Sequence, residues 1–195
     1  MIASSKIADL QSRIARNGDH LAYKELFTSL YGFLLQFAFT LVKSKQLAEE
    51  IVSDVFIKIW QKRHELDKIE NLKVYLYIAT KNTALNYLEK QKKTITDGLD
   101  EFASQIRSVY FDPEQLLITT DMVALIHQAI ESLPLRCKII FKLAKEDNLK
   151  NKEVASILNI SSKTVENQLA IALRKIAAAV KFDISKSVPS SVMGH

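Results

Sequence analysis

The sequence predicts an all-α protein: two small helical domains, an N-terminal helical bundle and a C-terminal helix-turn-helix domain, joined by an acidic flexible linker. Three observations carry this. Apolar residues recur at three- and four-residue spacing almost throughout, the period of helices with one buried face. The 195 residues hold only four Gly and three Pro, too few for folds built on many tight turns. Charge runs basic, acidic, basic along the chain. Residues 73–93 carry five Lys against Glu89, a net of +4, and residues 94–121 carry six acids against Arg107, a net of −5. Residues 138–182 carry nine Lys or Arg against four Asp or Glu, a net of +5.

The elements follow in order. Asp19, after Gly18, is an N-cap for a helix reaching Val42. Its apolar end, Leu30 to Val42, is broken by Gly32, Gln36 and Thr40, short of the roughly 18 apolar residues of a membrane span. A second helix covers Leu47 to His64 and a third Leu72 to Lys92. From Thr94 the periodicity fades, Asp and Gly enter, and the stretch closes on the turn signal Asp112-Pro113. Helices resume from Glu114 to Ser132, and Pro134 opens the next in its first turn. Lys152–Leu158 and Ser162–Val180 follow, and Ser185 to His195 reads as a frayed tail. The expected domains are therefore 1–93 and 116–182, with a linker at 94–115 and a tail at 183–195.

Composition also excludes. Cys137 is the one cysteine, so no intramolecular disulfide forms, and its neighbours Leu135, Ile139 and Ile140 make it a small buried thiol. His20, His64, His127 and His195 are scattered, so no metal site and no cofactor are expected. No nucleophile elbow, phosphate loop or Cys–His pair is present, and the chain is not expected to be an enzyme. The first ten residues lack the basic-then-apolar layout of a signal peptide, which favours a cytoplasmic protein with no membrane insertion. The net charge of +5 favours an anionic partner.

The strongest motif lies at residues 151–169. Val154, Ala155 and Leu158 form the inner face of a short helix, Ile160 plugs a turn, and Val165 and Leu169 continue the inner face on the next helix. Asn159 sits where the turn needs a positive φ, and Ser161 is a good N-cap. This is a helix-turn-helix whose second helix can enter a major groove. Ser162, Lys163, Thr164, Glu166, Asn167 and Ala170 open that helix, and Asn, Lys and Glu match adenine, guanine and cytosine edges. Arg174 and Lys175 lie farther along and suit phosphates.

A second motif is the amphipathic run Ala48–Trp60. Ile51, Val52, Val55, Phe56, Ile59 and Trp60 make one apolar face, while Glu50, Ser53, Asp54 and Gln61 face away with Ile57 among them. An apolar side chain ringed by acids is a partner contact or a lone exposed Ile, and the wheel leaves both open.

Ala48–Trp60 resembles the core-binding helix of extracytoplasmic-function sigma factors, in which a run like A-E-D-L-V-Q-E-V-F-L-x-L-W docks on a coiled coil of the polymerase's largest subunit. Ser53 stands where that family usually has Gln. The resemblance implies a docking surface of Glu50, Ser53, Asp54 and Ile57 for core RNA polymerase. Tyr75-Leu-Tyr77, Lys81-Asn82 and Leu85-Asn86-Tyr87-Leu88 with Lys90 resemble the family's promoter-melting and −10-reading segment, which often has Trp in place of Tyr75. It implies that Tyr75, Tyr77, Lys81, Asn82, Asn86 and Lys90 meet the melted −10 strand, with at least one of Tyr75 and Tyr77 stacking on bases and Tyr87 packed. The helix-turn-helix then stands where the family reads the −35 element of double-stranded promoter DNA. The acidic linker matches a segment that threads the polymerase's RNA exit path, or is simply solvated. The resemblance further implies an anti-sigma factor as partner and a cytoplasmic, nucleoid-associated location when active.

A response-regulator-type transcription factor is the rival reading, because its helix-turn-helix is similar. It would need a different N-terminal domain from its usual α/β receiver, since residues 1–93 show no strand-like runs. Limited proteolysis of the free protein should cut mainly within residues 94–113 and leave two helical fragments; one resistant core spanning that window would refute the two-domain reading.

Overall fold

The computed structural model describes residues 3–96 and 121–187, and every element in them is helical. They fall into two compact units. The first holds α1 (Ser4–Asn17), α2 (His20–Val42), α3 (Lys45–Gln61), a 3₁₀ segment (Arg63–Lys68) and α4 (Leu72–Thr96). The second holds α5 (Asp121–Glu131), α6 (Leu135–Phe141), a π segment (Lys142–Glu146), most of α7 (Asn151–Leu158) and α8 (Ser162–Ser187). The expected linker lies outside the described residues from residue 97 onward, as do residues 116–120 of the expected second domain.

In the first unit α2 packs against α1, α3 and α4 through a stripe of Ala22, Leu26, Leu30, Leu34, Phe37 and Ala38. Among the described residues α2 alone is long and apolar enough to cross a membrane by length and composition, and 33% of that window is buried within the unit. Two residues join α1 to α2. Gly18 ends α1 at φ 58°, in the left-handed region that glycine tolerates, with its N–H bonded to the Ile14 carbonyl at 3.1 Å. Asp19 then caps α2: its Oδ1 accepts from the Leu21 and Ala22 N–H groups at 2.9 and 3.0 Å. The Ala22 bond first, and then Arg13, hold the Asp19 carboxyl below the usual carboxylate range.

Helix α1 departs from the sequence reading, which began the first helix at Asp19. Ile7, Leu10, Ile14 and Ala15 are buried, and so is the polar Gln11. Its Nε2 donates to the carbonyls of Leu66 at 2.6 Å and Ile69 at 2.7 Å, joining α1 to the end of the 3₁₀ segment, where the Leu66 carbonyl also accepts from the Ile69 N–H at 2.9 Å. Helix α4 also runs past the expected Lys92 to Thr96, because no Gly or Pro intervenes before Gly98.

In the second unit α5 and α6 pack on α8. Leu133, Cys137 and Ala172 form one buried cluster of it, with Phe141, Ile171 and Ile176 packed against them. Cys137 is buried as read, and its thiol donates to Gln168 Oε1 at 2.8 Å. Pro134 precedes α6 rather than lying in its first turn: the helix begins at Leu135, and Lys138 N–H bonds the Pro134 carbonyl at 2.9 Å. The tail expected from residue 183 is corrected. Residues 183–187 continue α8, since nothing between Ser162 and Pro189 breaks a helix.

The turn between α7 and α8 is closed as the sequence requires. Asn159 has φ 54°, and the Ile160 N–H reaches back to the Ala155 carbonyl at 3.0 Å, a Schellman closure. Ser161 Oγ accepts from the Thr164 N–H at 3.0 Å, and Glu153 Oε2 accepts from the Lys150 N–H at 2.8 Å.

Two stability measurements follow. Phe56 is 1% exposed, so Phe56→Ala should lower the unfolding free energy in urea by about 3–5 kcal/mol; a loss below about 1 kcal/mol would place that ring outside the core. Asn159→Gly should melt like the parent or higher, whereas Asn159→Val should cost about 1–2 kcal/mol for its left-handed backbone. Equal melting of the two variants would contradict the turn.

Candidate functional site

The burial of one face of α3 decides what its other face presents. Ile51, Val52, Val55, Phe56 and Ile59 are at most 4% exposed, and α3 packs on α2 and α4. Glu50 and Ser53 therefore lie exposed, Asp54 is half-buried, and Ile57 stands 53% exposed among them. Trp60, read into the apolar face, is half-buried; His20 and Tyr23 lie against it at 4.5 and 4.9 Å between ring centroids. The Arg63 guanidinium sits 4.9 Å over the same ring.

One contact on this face escaped the sequence reading. The Tyr87 hydroxyl, carried by α4, lies 3.0 Å from Glu50 Oε1 and 3.1 Å from Asp54 Oδ2. The hydrogen bond to Glu50 first, then burial and the bond to Asp54, push this phenol up to about 12. Packing was anticipated for Tyr87, but no local spacing could reveal partners on another helix.

On α4, Tyr75 is 42% exposed while Tyr77 is fully buried, its ring edge-on to Phe37 at 5.3 Å. Two positions on a helix differ by roughly 200°, so only one of the pair can face solvent. Tyr77 is thus corrected from a base-stacking candidate to a core residue. Asn82 and Asn86 are exposed and fall within roughly 20° of Tyr75 around the axis, opposite buried Leu76, Tyr77, Thr80 and Ala84. Lys90 is exposed nearer the helix end, and Lys81 is half-buried, off this line. The structure brings Tyr75, Asn82 and Asn86 into one row roughly 16 Å long.

On α8, Lys163, Glu166, Asn167, Ala170 and Arg174 are exposed, opposite buried Val165, Leu169 and Ala172. Ser162 and Thr164 are half-buried, and the Thr164 hydroxyl lies 2.8 Å from Ser161 Oγ, within the cap. Lys163 Nζ pairs with Glu166 Oε2 at 3.5 Å on the open surface. Arg174 stands eleven residues beyond Lys163, roughly 16 Å along the axis, more than the ~12 Å width of a major groove.

The family description Sigma-70 region 2 matches residues 26–94, and Sigma-70, region 4 matches residues 124–176. The chain is 30% identical over 139 residues to the RNA polymerase sigma factor SigV of Bacillus subtilis (strain 168), covering 70% of this chain and 78% of that one. It is 24% identical over 156 residues to the ECF RNA polymerase sigma factor SigM of the same organism, covering 80% and 91%. Its fold matches the sigma factor RpoE solved in complex with the anti-sigma factor NepR from Bartonella quintana, with a TM-score of 0.63, 22% identity, and coverage of 83% and 98%. The described N-terminal helices contain no strand, which leaves no place there for the receiver domain of the rival reading. With both sigma regions in sequence order and a relative matched over most of its length, the chain belongs to the sigma-70 family, as an alternative sigma factor of the extracytoplasmic-function group that directs RNA polymerase to promoters.

Proposed function

We propose that Glu50, Ser53, Asp54 and Ile57 are the surface that docks on core polymerase, and that Tyr75, Asn82, Asn86 and Lys90 meet the melted −10 strand with Lys81 at their flank. The exposed opening of α8 then reads the −35 element. One observation carries this: the buried stripe of α3 turns two acids and an apolar Ile57 toward solvent together. Ile57 supplies a desolvated anchor, and the acids steer a basic partner surface toward it. Tyr75 offers a sequence-tolerant stacking face, and the asparagines offer donors and acceptors beside it. On α8, Lys163, Glu166 and Asn167 reach base edges, with Ser162 and Thr164 at the entrance, and Arg174 meets the phosphate backbone.

In this reading residues 1–93 bind core and the −10 element, and residues 116–182 bind the −35 element. The chain supplies recognition and the polymerase supplies catalysis. An anti-sigma factor is the expected restraint, supported by the fold relative solved with one. The cytoplasm is the expected location.

Asp54→Arg and Ile57→Glu should each weaken binding to core polymerase roughly tenfold or more, with Ile57→Glu leaving stability within about 0.5 kcal/mol. Unchanged affinity in both would remove α3 from the interface. In holoenzyme on promoter variants, Asn167→Ala should cost about 1–3 kcal/mol on the preferred upstream element and little on random DNA. Arg174→Ala should weaken both alike and lower the salt slope by roughly one unit. A change of base preference from Arg174→Ala alone would reverse the assignment.

A further inference from the structure

We propose that Tyr87 is a positioning residue for the polymerase-docking face, acting as a strut from α4 that holds the carboxylates of Glu50 and Asp54 together in one orientation. The inference rests on the docking role given to those acids. Glu50 and Asp54 stand four residues apart on one helix, so their like charges repel, and each side chain would otherwise sample several rotamers. The Tyr87 hydroxyl lies between them, at 3.0 and 3.1 Å. A phenol is suited to this place. Its proton is shared between two acceptors without adding a positive charge, so the face keeps its full negative charge for a basic partner.

The ring that carries the hydroxyl is firmly based. Tyr87 is half-buried on α4, between buried Ala84 and half-buried Leu88, and α4 packs on α3. The hydroxyl therefore fixes two flexible side chains from a rigid neighbour, and part of the ordering cost of docking is met before the partner arrives. The same side chain ties the docking face to α4, whose row of Tyr75, Asn82 and Asn86 is the candidate DNA surface.

A binding cycle with core polymerase tests this on the full chain. Tyr87→Phe keeps the ring and removes the hydroxyl, and should weaken binding roughly three- to tenfold through lost pre-ordering of the acids. In a Glu50→Ala/Asp54→Ala background, which removes both acceptors, the same change should have almost no further effect. An undiminished effect in that background would overturn the proposal, since Tyr87 would then act by another route. Full affinity in Tyr87→Phe while Asp54→Arg binds weakly would overturn the strut and spare the docking reading. Full affinity in Asp54→Arg would sink both. Tyrosine-resolved NMR of the unmodified protein gives a readout independent of variant folding: with its hydroxyl held between two carboxylates, the Tyr87 ring should titrate above the ordinary tyrosine range, and an ordinary titration would overturn the proposal.

Discussion

Helix α3 has one rotation about its axis that buries Ile51, Val52, Val55, Phe56 and Ile59 at once, and the rest of the N-terminal unit depends on it. At roughly 25 cal/mol per Å² of apolar surface, these five side chains outweigh any preference of the polar face. A turn of 100° would bring Phe56 to the surface and an acid toward the core. The outward direction of Glu50, Asp54 and Ile57 is therefore a consequence of packing. Surrounding contacts reinforce that rotation: the Tyr23 hydroxyl donates to the Phe56 carbonyl at 2.9 Å, and Phe27 meets the Phe56 ring edge-on at 4.8 Å.

The same logic of one face buried and one presented recurs on α4 and α8, and it separates the candidate surfaces by chemistry. The α3 face is acidic with an apolar centre. The α4 row is aromatic and amide-bearing, and the exposed opening of α8 carries both charge signs and an amide. An acidic face is suited to a protein partner and would repel phosphate, whereas the other two can approach a nucleic acid. Placing the acids on a neighbouring helix keeps them apart from the groups proposed to meet DNA, with the Tyr87 hydroxyl between α4 and the acids of α3.

Much of this was legible in the sequence because it rests on short-range rules. The period of α3 specifies its two faces, and Asn159, Ile160 and Ser161 specify the helix-turn-helix by backbone geometry alone. What escaped depends on contacts far apart in the chain. Helix α1 was missed because Asp19 reads as a start, and the partners that hold Gln11 of α1 are carbonyls 55 and 58 residues away. Tyr87 gave no sign of its acidic partners, which are 37 and 33 residues distant. The grouping of Tyr77 with Tyr75 failed for a local reason, since positions two residues apart fall on opposite faces of a helix, and Phe37 packs on the buried Tyr77 ring.

Site-specific photocrosslinking tests the central claim, that helix rotation assigns each surface its partner, without relying on stability or affinity. A photoreactive amino acid placed at Ile57 should crosslink to a polymerase subunit in the promoter complex, and one placed at Tyr75 should crosslink to promoter DNA. Crosslinking of position 57 to DNA, or of position 75 to polymerase alone, would contradict the account.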